Sequence, residues 1–329
     1  MPISPAPRRR ARVAAATLAA LAGTALVAGC SSAGAGADDA DDGKLQVLAS
    51  FYPLQYVAQQ VGGDHVAVDN LTPPAAEPHD LELAPAQVRA IGDADLVVYL
   101  SGFQPAVDEG VTQRAPEHVV DAAGAAHLEA HPDGEDAPDE GAHDGEDAHD
   151  ADDGHDHGTL DPHFWLDPTR LAAVGDEVAA ELAAVDPENA DEYAANADAL
   201  TASLGDLDTE YAEALAPCAG ATLVTSHEAF GYLAERYDLS QVGISGIDPE
   251  AEPSPARLRE VGDVVRAEGV TTLYFETLTS PKVTQTLADD LGVDAAVLDP
   301  IESLADGATD YREVMESNLD ALTSGLVCA

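Results

Sequence analysis

Three histidines stand in sequence settings that could form a metal site. They are His79 in EPHDLE, His163 in DPHFWLDP and His227 in TSHEAFGYLAERY. Neutral imidazole is a good ligand for Zn²⁺. The three lie too far apart for a zinc finger or an HExxH helix, so a site made from them needs a fold that brings distant segments together. Taken singly, each could equally be a structural or surface histidine.

The predicted positions of these residues favour one cleft. His227 follows the predicted strand TLVTS, and His79 follows the predicted strand VAVDNL through a proline-rich loop. Asp299 ends the predicted strand DAAVLD. In open α/β sheets, ligands bind at the carboxyl ends of the strands. These residues therefore suit a cleft whose walls come from different lobes.

A second group of histidines lies in a low-complexity acidic segment, residues 127–158, that has no Lys or Arg. Imidazole and carboxylate are both zinc ligands, but the segment has no apolar residue able to order it. We expect a disordered loop that holds metal weakly and in several arrangements; the alternative is a solvated loop with no metal role. Its histidines are His127, His131, His143, His149, His155 and His157.

Residues 1–29 predict an export signal. Basic residues precede an apolar run of about 15 residues, shorter than the roughly 20 that span a bilayer. The run ends in LVAGC, which looks like a lipobox with Cys30 as the lipidated residue; the alternatives are an ordinary signal peptide or a membrane anchor. Residues 30–44 then predict a flexible tether. We expect an extracytoplasmic protein, attached to the outer face of the cell membrane only through its lipid.

The formal net charge of −48 limits the classes of partner that the protein is expected to bind. It repels nucleic acid and anionic lipid headgroups and raises the local concentration of cations. Metal cations are therefore the expected ligands, and no nucleic-acid partner is expected.

From Leu45 onward, apolar strands alternate with amphipathic helices, which predicts an α/β fold with parallel sheets covered by helices. We expect an N-terminal lobe over 45–185, interrupted by the acidic loop, and a C-terminal lobe over 217–329. Residues 186–216 predict a long linking helix with Pro187 at its first position.

The remaining cysteines, Cys218 and Cys328, form an even pair. In an exported protein such a pair predicts a disulfide bond, and the alternative is two buried free thiols.

Several stretches together resemble the zinc and manganese solute-binding proteins of metal ABC importers. The similarity begins near Leu45 and continues to the C-terminus, and zinc-binding members also tend to carry a loop like the acidic one in the same place. The resemblance implies two lobes, each a mostly parallel sheet flanked by helices, bridged by one long rigid helix. The matching stretches are FYPLQYVAQQVGGDHVAV, EPHDLE, ADLVVYL, DPHFWLDP, VTSHEAFGYLAERY and VLDPI.

The resemblance also implies a ligand set. The three imidazole ligands are His79, His163 and His227, and Asp299 supplies the fourth ligand; some zinc-binding members use water or a different acid there. Glu276 is expected to form a structural hydrogen bond instead of binding metal. Three imidazoles and a carboxylate favour Zn²⁺ as the bound metal, with Mn²⁺ as the alternative.

The expected function is capture of extracytoplasmic zinc with high affinity by a monomer, and its delivery to an ABC permease, without enzymatic activity. The alternatives are a manganese importer component, an adhesin or passive zinc buffer, and an exported zinc hydrolase with Glu77 or Glu228 as general base. No compact hydrolase motif occurs in the sequence. A fourth protein ligand would also close the position that a hydrolytic water needs.

Overall fold

The computed structural model describes residues 43–129, 160–304 and 309–328. The predicted export signal, the predicted lipidation site Cys30 and residues 31–42 of the predicted tether lie outside the described residues. Within the described part, no helix is long and apolar enough to cross a membrane. Of the histidines in the acidic segment, His127 is described and exposed. The others lie outside the described residues: His131, His143, His149, His155 and His157.

The N-terminal half of the described chain alternates strands and helices. The strands form a parallel sheet in the order β2-β1-β3-β4, in which Val47 pairs with Val68 on one side and Leu96 on the other. The central strands are rich in buried Val and Leu, as expected for a sheet covered on both faces. The elements are β1 (Leu45–Ala49), α1 (Tyr52–Gly62), β2 (Val66–Asn70), α2 (Pro85–Asp93), β3 (Leu96–Tyr99), α3 (Pro105–Arg114), β4 (Val119–Asp121) and α4 (Ala122–Ala126).

Two long helices, α5 (Pro168–Val185) and α6 (Ala190–Leu215), follow this half. The Asp167 carboxylate caps α5 by accepting a hydrogen bond from the Thr169 N–H. Helix α6 has 26 residues, which gives a length of about 39 Å at 1.5 Å per residue. The predicted long helix is therefore present.

The start of this helix differs from the prediction. Pro187–Asn189 forms a separate 3₁₀ turn, so α6 begins at Ala190 and not at Pro187. The Asp186 carboxylate accepts hydrogen bonds from the Asn189 amide and from the Tyr193 hydroxyl. These bonds hold the connection between the two helices as a tight turn.

The C-terminal half repeats the pattern of the first. Its strands form a parallel sheet in the order β6-β5-β7-β8, the same spatial order by position as in the first sheet. The predicted fold class is thus confirmed: two parallel sheets flanked by helices, with a long helix between them in sequence. The elements are β5 (Thr222–Thr225), α7 (Gly231–Arg236), β6 (Ser240–Gly243), α8 (Pro255–Glu268), β7 (Thr272–Phe275), α9 (Lys282–Leu291), β8 (Asp294–Val297) and α10 (Tyr311–Gly325).

One hydrophobic cluster connects the two halves. It includes Val47 from β1, Trp165, Leu207 from α6, Leu223 from β5 and Met315 from α10, all buried. Smaller clusters lie on each sheet outside this shared core. Each fully buried side chain of this kind contributes about 1.5–3 kcal/mol, so packing between the halves is a substantial part of the stability.

The predicted disulfide is confirmed between Cys218 and Cys328. Cys218 ends the 3₁₀ turn Ala216–Cys218 that follows α6, and Cys328 lies beyond the end of α10. The bond links residues 110 positions apart and so closes the whole C-terminal half into one covalent loop.

Candidate metal centre

The three predicted histidines come from loops and turns at the junction of the two halves. His79 lies in the loop between β2 and α2, and His227 lies two residues beyond the end of β5. His163 directly precedes the 3₁₀ turn Phe164–Leu166, which leads into α5. Parallel strands place the loops that follow them at one edge of each sheet, which is where such folds bind ligands.

The structure brings these histidines together around Glu302. The Nε2 atoms of His79, His163 and His227 lie 3.4, 3.2 and 3.5 Å from one oxygen, Oε1 of Glu302. One ligand atom from each of the four residues lies within 4.8 Å of all the others. The side chains of His163 and His227 are fully buried, whereas that of His79 is 14% exposed. The site is therefore closed to solvent except beside His79.

Asp299 does not belong to this group. Its carboxylate accepts hydrogen bonds from the Ile301 N–H at 2.8 Å and from the Thr277 hydroxyl at 3.2 Å. Burial raises the pKa of Asp299 and outweighs the opposite effect of these two hydrogen bonds. The expectation that Asp299 sits among the imidazoles is therefore corrected, because Glu302, three residues further on, occupies that position.

The backbone after β8 explains why Glu302 enters the site. The Asn318 side chain on α10 bonds both the N–H and the C=O of Asp299, which fixes this residue against the helix. Ile301 then adopts a positive φ of 59°, a left-handed conformation that is rare for a β-branched residue. The only sequence signal for Glu302 was its place in the loop after a predicted strand, and that signal does not separate it from Asp299.

Two further carboxylates touch the outer nitrogens of the buried imidazoles. Asp161 Oδ1 lies 2.8 Å from Nδ1 of His163, and Glu276 Oε1 lies 2.5 Å from Nδ1 of His227. Glu276 also accepts a hydrogen bond from the Ser226 hydroxyl. It is thus a hydrogen-bonding partner of a site residue, the role expected from the sequence.

These contacts set the protonation of the site before metal binds. Burial lowers the pKa of His227, but its hydrogen bond to Glu276 and the facing carboxylate of Glu302 outweigh that effect and raise the pKa to about 10. Burial also lowers the pKa of His163, and Asp161 together with the facing Glu302 outweighs this and raises it. Burial raises the pKa of Glu302, yet the three imidazoles that face it hold its pKa well below its ordinary value. Before metal binds, His227 therefore carries a proton at neutral pH and faces a charged carboxylate.

The two glutamates considered as hydrolytic bases have other contacts. Glu77 accepts hydrogen bonds from the backbone N–H groups of His79 and Asp80, which shapes the loop that carries His79. Glu228 forms an ion pair with Arg257 at 3.1 Å.

Aromatic side chains line the inner wall of the site. The Trp165 ring lies 5.3 Å from that of His163, and the Phe103 ring lies 4.7 Å from that of His79. Trp165 is fully buried and donates a hydrogen bond from Nε1 to the Pro300 carbonyl at 2.7 Å. It therefore ties the segment of His163 to the loop that carries Glu302.

The donor set fits a divalent transition metal. Nε2 of His163 and Nε2 of His227 are buried and have no hydrogen-bond partner of good geometry, although both face Glu302. Buried polar atoms without a hydrogen-bond partner are costly unless a ligand uses them. Three imidazoles with one carboxylate form a four-coordinate set that suits Zn²⁺. Among the described residues, this is the only group of three or more potential ligands found at such distances.

Comparison with known proteins identifies the family of this chain. A family model described as ZnuA, zinc-uptake complex component A, periplasmic, matches residues 47–325. The chain belongs to this family. Its resemblance to the zinc-binding type of solute-binding protein is thereby confirmed. The high-affinity zinc uptake system protein ZnuA of Bacillus subtilis (strain 168) is 34% identical over 311 residues, covering 92% of this chain and 94% of that protein.

Other ZnuA-like relatives are longer or carry a second described activity. The zinc-binding lipoprotein AdcA of Streptococcus pneumoniae is 36% identical over 85% of this chain, which spans 56% of AdcA. The Zn(II)-bound AdcA structure matches with a TM-score of 0.70 at 33% identity, covering 86% of this chain and 58% of that one. The structure of the laminin-binding protein Lmb of Streptococcus agalactiae matches with a TM-score of 0.71 at 30% identity, covering 85% of this chain and 99% of that one. Lmb is described as a bifunctional protein with adhesin and metal transporting activity.

Proposed function

We propose that this protein captures zinc outside the cytoplasm with high affinity and delivers it to an ABC permease for import. One observation carries the proposal: three imidazole Nε2 atoms and a carboxylate oxygen from distant segments converge within 4.8 Å in a buried site. Membership of the zinc-uptake family supports it. The zinc ligands are His79, His163, His227 and Glu302.

Zinc suits this site better than manganese does. Zn²⁺ accepts tetrahedral sets of imidazole and carboxylate, whereas Mn²⁺ is better matched by oxygen ligands in a larger coordination sphere. The site offers three imidazole nitrogens and one carboxylate.

The site also suits capture better than catalysis. A catalytic zinc usually has three protein ligands and keeps an open position for water. Here four protein groups face the same point, and aromatic rings surround them. Zinc held in this way is cargo, bound and released without a reaction.

The N-terminal features complete the proposal. Lipidation at Cys30 would hold the protein at the outer face of the cell membrane, where a single copy presents zinc to the permease. The histidines of the acidic segment would raise the local concentration of zinc near the site.

Metal selectivity of the purified mature protein tests this function. Calorimetric titration with zinc and, separately, with manganese is performed on wild type and on His163→Ala. We expect one tight zinc site in wild type, much weaker manganese binding, and loss of the tight zinc site in His163→Ala. Weak zinc binding that survives in the variant reports the histidines of the acidic segment.

Transport is tested in cells that lack the gene. Wild type should restore growth and ⁶⁵Zn uptake at limiting zinc, and His163→Ala at equal protein level should not. Tight manganese binding with weak zinc binding would reassign the protein to manganese, and full uptake by His163→Ala would remove the site from the transport function.

A further inference from the structure

We propose that Asp161 and Glu276 are positioning residues for zinc capture. Each holds the Nδ1 atom of one buried imidazole, which fixes the tautomer and the ring direction and so aims Nε2 at the metal. The inference rests on the proposed zinc function and adds two residues that do not touch the metal. It also distinguishes His163 and His227, whose Nδ1 atoms are held by a carboxylate, from His79.

The contact at His163 is tightly defined. Asp161 Oδ1 accepts hydrogen bonds both from Nδ1 of His163 at 2.8 Å and from its backbone N–H at 2.9 Å. Asp161 is only 6% exposed. An ionised carboxylate can only accept, so Nδ1 must carry the hydrogen. Nε2 is then the ring nitrogen left to bind zinc.

Glu276 makes the equivalent contact at His227. Its Oε1 accepts from Nδ1 of His227 at 2.5 Å and also from the Ser226 hydroxyl. Glu276 is 3% exposed and lies just after β7, while His227 lies just after β5, the neighbouring strand. Carboxylates in this position raise the basicity of a metal-binding imidazole and fix its orientation.

His79 provides an internal contrast. Within the described part of the chain, no carboxylate is hydrogen-bonded to its Nδ1, and its Nε2 faces Glu302 at 3.4 Å. Its ring is also the only one of the three with solvent exposure. His163 and His227 are therefore the prepositioned ligands, and His79 is the ligand with the freedom to turn.

The surroundings of Asp161 hold its carboxylate in place. Its backbone N–H donates to the Glu129 carbonyl at 3.0 Å, and its carbonyl accepts from the Tyr232 hydroxyl at 2.8 Å. Gly231 leaves the space that the carboxylate occupies, because a Cβ there would lie 2.7 Å from Oδ2 of Asp161. Gly231→Ala should thus displace the carboxylate without removing any charge or ligand.

The test combines zinc affinity with the tautomers of the two rings. Zinc affinity is measured on the mature protein by competition with a chromophoric chelator, and long-range ¹H–¹⁵N spectra of ¹⁵N-histidine-labelled, zinc-loaded protein show which nitrogen of each ring carries hydrogen. The variants are Asp161→Ala, Gly231→Ala, Glu276→Ala and Glu276→Gln. The matched control is Asp167→Asn, a buried aspartate that caps α5.

Asp161→Ala and Glu276→Ala should each bind zinc about 10- to 100-fold more weakly, the usual cost of losing such a partner. Each should also lose the ordered Nδ1–H signal of its own histidine only. Glu276→Gln keeps an acceptor without the charge, so it should retain the tautomer and recover part of the affinity. Gly231→Ala should weaken zinc binding, as Asp161→Ala does. Asp167→Asn should lose thermal stability but keep its zinc affinity.

Each other outcome counts against the inference. Zinc affinity within threefold of wild type in Asp161→Ala and in Glu276→Ala, with unchanged tautomers, removes the positioning role. An equal loss in Asp167→Asn shows a general effect of destabilisation. If Asp161→Ala or Glu276→Ala does not fold, Gly231→Ala and Glu276→Gln are compared with wild type instead. Wild-type zinc affinity in both of these variants would overturn the inference. Absence of tight zinc binding in wild type would instead refute the proposed function.

Discussion

Replacement of Glu302 by glutamine tests whether this residue supplies the fourth ligand. The amide keeps the size of the side chain but removes the negative charge. Glu302 is 1% exposed and its Oε1 lies 3.2–3.5 Å from three imidazole nitrogens, so water cannot easily take its place. Zinc would then be buried among neutral ligands.

The expected loss follows from this burial. Removing one partner of a buried charge pair costs about 3–5 kcal/mol, because the remaining charge is left uncompensated. At 1.4 kcal/mol per factor of ten, zinc affinity should fall by about two to three and a half orders of magnitude. Competition with a chelator of known zinc affinity measures this loss, and circular dichroism confirms that the variant is folded.

Asp299→Asn tells whether Asp299 or Glu302 is the fourth ligand. Asparagine can still accept the Ile301 N–H, so the turn that directs Glu302 inward should persist. We expect zinc affinity within about threefold of wild type, since the Asp299 carboxylate binds Thr277 and Ile301 and not the site. A loss in Asp299→Asn as large as in Glu302→Gln would refute the assignment and restore Asp299 as the fourth ligand of the zinc-bound state.

Three further outcomes are expected. The pKa of His227 is raised to about 10, so this ring is protonated at neutral pH before zinc binds, and the pKa of His163 is raised as well. Zinc must displace the proton of His227, and its affinity should fall as the pH is lowered; calorimetry in buffers of different ionisation enthalpy should show at least one proton released, and affinity independent of pH between 6 and 9 would contradict this. Cys328→Ser opens a loop of 110 residues and should lower the free energy of unfolding by about 4–5 kcal/mol in the chain-entropy model. Urea denaturation of zinc-free protein measures this loss, and a loss under about 1 kcal/mol would show that the Cys218–Cys328 bond adds little stability. Trp165 is the chain's single tryptophan and its ring lies 5.3 Å from that of His163, so zinc binding at His163 should change its fluorescence; no change on saturation would argue against His163 as a ligand.

The architecture could be predicted because it depends on local patterns. Strands such as β3 and β5 are short apolar runs, and each is followed by an amphipathic helix, so the parallel topology follows from the alternation. The error at the start of α6 arose from contacts that the pattern does not contain. Asp186 binds the Asn189 and Tyr193 side chains there, which favours a 3₁₀ turn over Pro187–Asn189.

The histidines could be predicted for a related reason. His79 and His227 follow strands, and His163 immediately precedes a helical segment, so the hydrophobic pattern fixes their place in the fold. The acid could not be chosen in this way. Asp299 and Glu302 share one loop, and the choice between them depends on Asn318 of α10 and on the positive φ of Ile301. Both features are set by tertiary packing.

The charges of the buried site explain why it accepts a dication. Glu302, Asp161 and Glu276 supply three buried carboxylates around His163 and His227. The two positive charges of Zn²⁺ against three carboxylate charges leave this cluster with a net charge of −1 when the imidazoles are neutral. A monovalent ion would leave the buried carboxylates under-compensated, which is costly in a medium of low dielectric. Selection of a divalent cation therefore comes from the number of buried acids, and selection of zinc among divalent cations comes from the three imidazole nitrogens.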